Sequence, residues 1–178
     1  RRVEAAVRAE LFLQPLGGRA VYLSDLRPDE YRHAAFLDLP WDYRNDRNAG
    51  GGRLRSGGRA YLKGLGLHSA ARITYLLDEP YQRFQAELGI DDATGGGGSA
   101  IFRVFVDGQQ QFNSDILRGR MTPVPVSLDL VGATRLDLIV EYADRGDQLD
   151  YADWLDARLI RPQTTDRLDD QPSNKSQP

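Results

Sequence analysis

The chain has 178 residues, a formal net charge of −3, two histidines and no cysteine. That length buries a sizeable core without disulfides. The charge offers no basic field for nucleic acid or an anionic membrane, and the lack of thiols excludes a disulfide framework and any thiolate metal site.

Residues 1–20 read as a lead-in from an upstream region. They begin as a short amphipathic helix with Val3, Ala6, Val7 and Leu11 on one face, or hold an edge strand at Ala9–Leu13 before Gly17-Gly18. No apolar h-region follows Arg1-Arg2, so no signal peptide is expected, and the chain reads as a piece of something longer. No apolar run is long enough to span a bilayer as a helix.

Val21-Tyr22-Leu23 reads as a strand, with a turn at Ser24-Asp25 and a bend at Pro28. A mixed apolar run from Glu30 ends before Pro40, and Trp41–Gly52 is a polar loop rich in Asp, Asn and Gly. Arg59–Tyr75, RAYLKGLGLHSAARITY, is the most informative stretch. It sets Tyr61 and Lys63 before a Gly64-x-Gly66 turn, His68 after it, and then a strand with Ala71, Ile73 and Tyr75 on one face and Arg72 and Thr74 on the other. His68 caps this turn, is a buried ring bonded to a backbone carbonyl, or faces a ligand.

Tyr81–Ile90 alternates Phe84, Ala86 and Leu88 against Arg83, Gln85 and Glu87, as a half-buried strand does. Asp91–Ser99 is a glycine-rich turn. Ala100–Val106 and Gln110–Phe112 flank Asp107-Gly108, a strong hairpin signal. Val124–Leu130 and Arg135–Tyr142 are further strands. Ala143–Asp153 is an acidic loop, and the last strand is expected at Trp154–Ile160. From Pro162 the tail is polar and apolar-poor, and is expected to be disordered. Eight to ten short strands without a long helical period predict an all-β, antiparallel sandwich of jelly-roll type over residues 21–161.

No nucleophile elbow, P-loop or HExxH motif is present. A zinc site would need both His33 and His68 plus carboxylates. Most acidic residues sit in turns, where backbone capping explains them, so a paired-carboxylate glycosidase is disfavoured. Two oxygen-rich loops, one with Asp42, Asn45, Asp46 and Asn48 and the other with Asp144, Asp147, Asp150 and Asp153, suit calcium or are ordinary solvated turns. Trp41, Tyr43 and Trp154 border these loops. They are sugar-stacking faces or core plugs, and for Trp154, beside the last strand, the core reading is the stronger.

Several ordered blocks carry a resemblance. Tyr61–Tyr75 is similar to the "Y-x-K-G-x-G-x-H" segment of the NPCBM family of carbohydrate-binding modules. Phe84–Asp92 (FQAELGIDD), Ser99–Gly108 (SAIFRVFVDG), Gly132–Val140 and Asp144–Leu159 (DRGDQLDYADWLDARL) resemble its later blocks in order. Tyr22–Leu26 and Asp46 with Gly50–Leu54 resemble its entry strand and first loop. Two departures stand out. Tyr151 replaces the family's usual His, and Arg47-Asn48 follows Asp46 where the family carries a serine.

The resemblance implies a galactose-binding-like β-sandwich that binds carbohydrate without catalysis. It also implies attachment to secreted glycoside hydrolases, hence an extracytoplasmic location and linkage to other domains, and recognition of galactose-containing glycans. The sugar-binding set it suggests is His68, Tyr61, Arg72, Asp150 and Trp154, with Trp41 or Tyr43 as a platform. A structural Ca2+ is implied, carried on Asp46, Asn48 and Asp156. The competing reading is a structural or protein-interaction sandwich that binds no sugar.

Overall fold

A computed structural model describes residues 19–34 and 40–162. The expected lead-in helix or strand and nearly all of the polar tail lie outside the described residues. Among the described residues fourteen strands alternate with short turns: β1 (Ala20–Tyr22), β2 (Glu30–His33), β3 (Arg44–Asn45), β4 (Arg55–Ser56), β5 (Arg59–Ala60), β6 (Gly64–His68), β7 (Ala71–Leu76), β8 (Arg83–Ile90), β9 (Ser99–Val106), β10 (Gln109–Asn113), β11 (Leu117–Arg118), β12 (Val124–Asp129), β13 (Arg135–Tyr142) and β14 (Tyr151–Ile160).

Two six-stranded antiparallel sheets form a sandwich, as the strand pattern predicts. The first runs β12-β8-β14-β6-β3, with β1 also on β14; the second runs β10-β9-β13-β7-β2, with β11 also on β9. β4 and β5 form a separate ribbon. Among the described residues no helix is long and apolar enough to cross a membrane.

The alternation read from sequence fills the core. Phe84, Ala86, Leu88 and Ile90 of β8 meet Phe102 and Val104 of β9 and Leu136, Leu138 and Val140 of β13, all buried. Each fully buried large apolar side chain contributes roughly 1.5–3 kcal/mol. Trp154 sits among them with no exposure, T-shaped on Phe102 at 5.2 Å and tilted against Phe84 at 6.2 Å. The Asp107-Gly108 hairpin forms as expected between β9 and β10, both residues at positive φ.

β14 begins three residues earlier than the sequence suggested. Tyr151 pairs with His68, Asp153 with Gly66 and Leu155 with Gly64. A bulge at Asp156, φ 49°, then resets the alternation. Ala152 and Trp154 point inward before it, and Ala157 and Leu159 after it. The bulge also splits one edge of β14 between two partners, β6 for its first half and β1 for its second.

The Gly64-x-Gly66 segment is strand, not turn. Its glycines serve close approach instead. A Cβ on Gly66 would collide with the Arg47 carbonyl and the Asn48 backbone. The loop that starts at Trp41 therefore lies flat on the outer face of the first sheet. The turn proper is Ser69-Ala70, which carries the chain from β6 in one sheet to β7 in the other.

Candidate functional site: an aromatic cup at the sheet crossover

Paired residues of adjacent strands share a face. His68, ending β6, and Tyr151, opening β14, thus stand side by side on the outer face of the first sheet, at its rim. Leu65 and Leu67 take the core side of β6, which leaves His68 to the outside. There the Trp41 indole covers it, with ring centroids 4.4 Å apart and planes 6° from parallel. Tyr151 meets Trp41 edge-on at 5.7 Å and His68 at 6.1 Å. Gly50 packs on the Tyr151 ring, where a Cβ would come within 2.9 Å of it. Trp41 and Tyr151 are half-buried, whereas His68 is 3% exposed.

The two histidines meet here, their rings edge to face at 5.9 Å. His33, ending β2, lies 2.8 Å from the Ser69 carbonyl through Nε2, and its Nδ1 lies 3.3 Å from the Trp41 N–H. The Tyr31 hydroxyl donates to the Trp41 carbonyl at 2.6 Å. Trp41 is thus held by its main chain on both sides. His68 Nδ1 lies 2.9 Å from the same Ser69 carbonyl. A carbonyl only accepts, so Nδ1 carries the proton and Nε2 keeps its lone pair, with no hydrogen bond among the described residues. Burial pushes the His68 pKa down, against the Ser69 bond and the nearby Asp147 charge. The ring is neutral at pH 7. The cup therefore offers an indole, a phenol, an imidazole acceptor and, close by, the Asp147 carboxylate. These groups pack on sugar C–H faces and bond hydroxyls.

The other expected sugar contacts go elsewhere. Trp154 is a core residue out of reach of any ligand, because Ala152 and Trp154 share the inward register of β14. Tyr61 lies beyond the other end of β6. It is buried with Leu54 and Leu155, its hydroxyl bonds Glu87 at 2.7 Å, and Arg59 stacks over its ring. Arg72 is on the outer face of the second sheet, paired at 2.9 Å with the buried Asp137. Tyr43 packs half-buried against Tyr31 at 5.1 Å and supports the loop from beneath. Asp150 is fully buried under the rim. Its carboxylate accepts from the Ser69 hydroxyl at 2.8 Å and the Ser99 N–H at 2.7 Å, so it faces protein and not solvent.

The expected calcium set does not fit a calcium ion. Asp46 is taken by the Lys63 ammonium at 3.0 Å and the Gly64 N–H at 3.1 Å. Asn48 gives its oxygen to the Gly52 N–H and its amide to Asp91. Asp156 sits at the bulge, beside the Lys63 carbonyl that its own N–H bonds. Among the described residues no three His, Asp or Glu side chains converge as a metal ligand set.

A different carboxylate stands out. Asp153 lies between Gly66 and Gly89 on the outer face, roofed by the Asn48 loop and by Ser56. It is fully buried, no N–H or hydroxyl donates to either oxygen, and the Asp91 carboxylate is near enough to share a proton with it. Burial, then the charge of neighbouring Asp91, pushes its pKa well up. Asp91 itself accepts from Asn48 Nδ2, Ala93 N and Arg55 N at 2.8–2.9 Å. The "IDD" and "YAD" segments held Asp91 and Asp153 in plain view, but only the register shows that two glycines flank Asp153. Tyr151 entered the sequence reading solely as a departure, and His33 solely as a zinc candidate.

A family model described as NPCBM/NEW2 domain matches residues 19–160. A Renibacterium salmoninarum protein named as a candidate endo-alpha-N-acetylgalactosaminidase is 28% identical over 89% of this chain, which spans 12% of that relative's length. Among solved structures, the CBM51-2 and INT domains of Clostridium perfringens ZmpB, in complex with GlcNAc, align with TM-score 0.72 and 28% identity over 80% of this chain and 32% of theirs. The CBM51 of Clostridium perfringens GH95, in complex with methyl-galactose, aligns with TM-score 0.71 and 26% identity over 79% of this chain and 99% of its own.

Proposed function

Because the chain belongs to the NPCBM/NEW2 domain family of non-catalytic carbohydrate-binding modules, we propose that it takes the exposed end of a galactose-type glycan at Trp41, His68 and Tyr151. The observation that carries this is the partly exposed Trp41 indole, its inner face held parallel to a neutral imidazole. One face is committed to His68, and the other presents a rigid apolar plane beside acceptors for hydroxyl groups. Similar modules hold methyl-galactose and GlcNAc. The parent would be a longer, extracytoplasmic glycoside hydrolase, with this domain keeping it on its substrate.

Titration of the domain with methyl-galactoside, N-acetylgalactosamine and N-acetylglucosamine tests the reading. Saturable binding to one of them, lost in Trp41→Ala, is expected. A folded domain that binds none of them, or binding untouched by Trp41→Ala, overturns it.

A structural calcium ion is the second part of the proposal, placed at the Asp153 carboxylate; Asp91, whose oxygens already accept three N–H bonds, adds its charge beside the ion and not a free ligand oxygen. A buried carboxylate with both oxygens orphaned costs stability unless it is protonated or meets a cation. Calcium accepts carboxylate, amide and carbonyl oxygens alike. It would neutralise the pair and fasten the Asn48 loop to the sheet. Calcium should raise the melting temperature of the chelated protein, and Asp153→Asn should abolish that rise. No calcium-dependent shift in the unaltered domain would sink this part alone.

A further inference from the structure

The contacts beneath the cup converge on one residue, Ser69. Its carbonyl meets His33 Nε2 at 2.8 Å and His68 Nδ1 at 2.9 Å. Since that carbonyl can only accept, it selects opposite tautomers for the two rings: Nε2–H for His33 and Nδ1–H for His68. The bare nitrogen of His33 then accepts the Trp41 N–H, and the bare nitrogen of His68 is its Nε2. The position of one backbone oxygen thus decides both how the cup's platform is seated and which hydrogen-bonding character its imidazole shows.

Ser69 is a turn residue between two sheets, and a turn needs a second anchor to hold a carbonyl still. That anchor is Asp150. Its Oδ2 accepts the Ser69 hydroxyl, and its Oδ1 accepts the N–H of Ser99, which opens β9 in the second sheet. The Ser99 hydroxyl in turn bonds the Asp144 backbone, closing the loop on which Asp150 sits. Asp150 is fully buried.

We infer that Asp150 is a positioning residue for the cup: through the Ser69 hydroxyl it fixes the carbonyl that sets the His33 and His68 tautomers and so seats Trp41. This rests on the reading that sugar binds at Trp41, His68 and Tyr151. The sequence expectation placed Asp150 among the sugar contacts; its part is exercised two bonds away from the sugar.

The anchor responds to pH. Burial pushes the Asp150 carboxyl up to about 6, opposed by its bonds from Ser99 and Ser69 and reinforced by Asp147 and Asp144 on the same loop. Among the described residues it faces, from the other elements, the Ser69 hydroxyl and the Ser99 N–H, with the imidazoles of His33 and His68 one bond further on. The Ser99 N–H can only donate and keeps Oδ1 as its acceptor, so a proton taken up by the carboxyl falls on Oδ2 and reverses the bond with the Ser69 hydroxyl.

The test is 15N NMR of histidine-labelled protein, whose long-range couplings report ring tautomers, run beside glycan titration. The unaltered domain is expected to show one Nδ1–H and one Nε2–H histidine. Asp150→Asn replaces one acceptor by an amide donor. It is expected to mix the tautomers and weaken glycan binding about tenfold or more, as loss of an orienting partner does elsewhere. Ser69→Ala keeps the carbonyl and removes only the hydroxyl. It should reproduce both effects, and it carries the test if Asp150→Asn fails to fold. Wild-type tautomers and wild-type affinity in a folded variant overturn the inference. If the unaltered domain binds no sugar, the tautomer readout still decides the role of Asp150, so the two failures are distinguishable.

Discussion

Trp154 offers the sharpest separation between holding the fold together and touching a ligand. Its indole is fully enclosed against Phe102 and Phe84, and its Nε1–H has no acceptor. Trp154→Ala removes the whole ring and leaves a cavity. Changes of this kind cost about 3–5 kcal/mol, which for a domain of this size lowers the melting temperature by roughly 2–4 °C per kcal/mol. A fall of about 6–20 °C is therefore expected.

Trp154→Phe is different. It loses about three buried carbons or nitrogens, near 2 kcal/mol at about 0.8 kcal/mol per methylene equivalent. It also deletes an orphan donor whose burial costs about 1–3 kcal/mol. The two terms oppose each other, and the net change should lie within about 1 kcal/mol. Thermal unfolding followed by circular dichroism reads both variants, and glycan titration of Trp154→Phe completes the test. Near-native stability with native affinity is expected. A Phe variant that melts normally but no longer binds sugar would refute the placement of Trp154 in the core and return it to the binding site.

Other expectations follow from the cup and its supports. Trp41→Ala should weaken sugar binding at least about tenfold while shifting the melting temperature by no more than about 2 °C, since the ring is partly exposed; a large loss of stability would show that Trp41 is a structural lid. Gly66→Ala should destabilise the domain by about 1–3 kcal/mol or more, because its Cβ meets the backbone of Arg47 and Asn48 and not a flexible side chain; an unchanged denaturant midpoint would contradict the close approach of that loop. Burial works to raise the Asp137 pKa, yet hydrogen bonds from Arg135, Arg72 and Thr74 bring it below the usual carboxylate value. Its contribution is therefore present above about pH 4 and lost as pH falls through the lowered pKa. Asp137→Asn should cost about 2 kcal/mol near neutrality, less than a fully enclosed pair because both arginines are partly exposed. Its acid unfolding limb should be shallower than that of the unaltered protein, and an identical limb would refute the assignment.

The strands were legible because alternation is local. FQAELGI and RLDLIVEY show their buried faces in the residues themselves, and the ordered motif blocks carry the family resemblance on their own. Contacts made across the sheets were not legible. Nothing in WDYRND reveals that Trp41 folds back onto the outer face and lies parallel to His68, because that contact depends on how the loop crosses Gly66. Alternation also assigns a side chain to a face without saying what covers that face. Asp153 read as one more loop acid, although β14 starts before it and a pair of glycines leaves it a pit. Asp150 and Trp154 came from a motif block, and their burial follows from strand register, which the block does not encode. Tyr61 and Arg72 flank His68 in sequence, but a strand of five residues carries Tyr61 to the far end and the crossover carries Arg72 to the opposite sheet.

The divided edge of β14 governs how such a domain hangs on a longer chain. Its first half pairs with β6 at the cup; its second half pairs with β1, and Arg161 N–H closes the pair on the Arg19 carbonyl. The backbone at Arg19 and at Arg161 therefore runs side by side. Ten residues of strand separate that point from Tyr151, about 30 Å at roughly 3.3 Å per residue. Both points lie at the pole opposite the aromatic cup. A neighbouring catalytic unit could be added before or after the domain, or the domain spliced into a loop of another protein, without shading the cup. A glycan held at the cup would be presented outward, clear of Arg19 and Arg161.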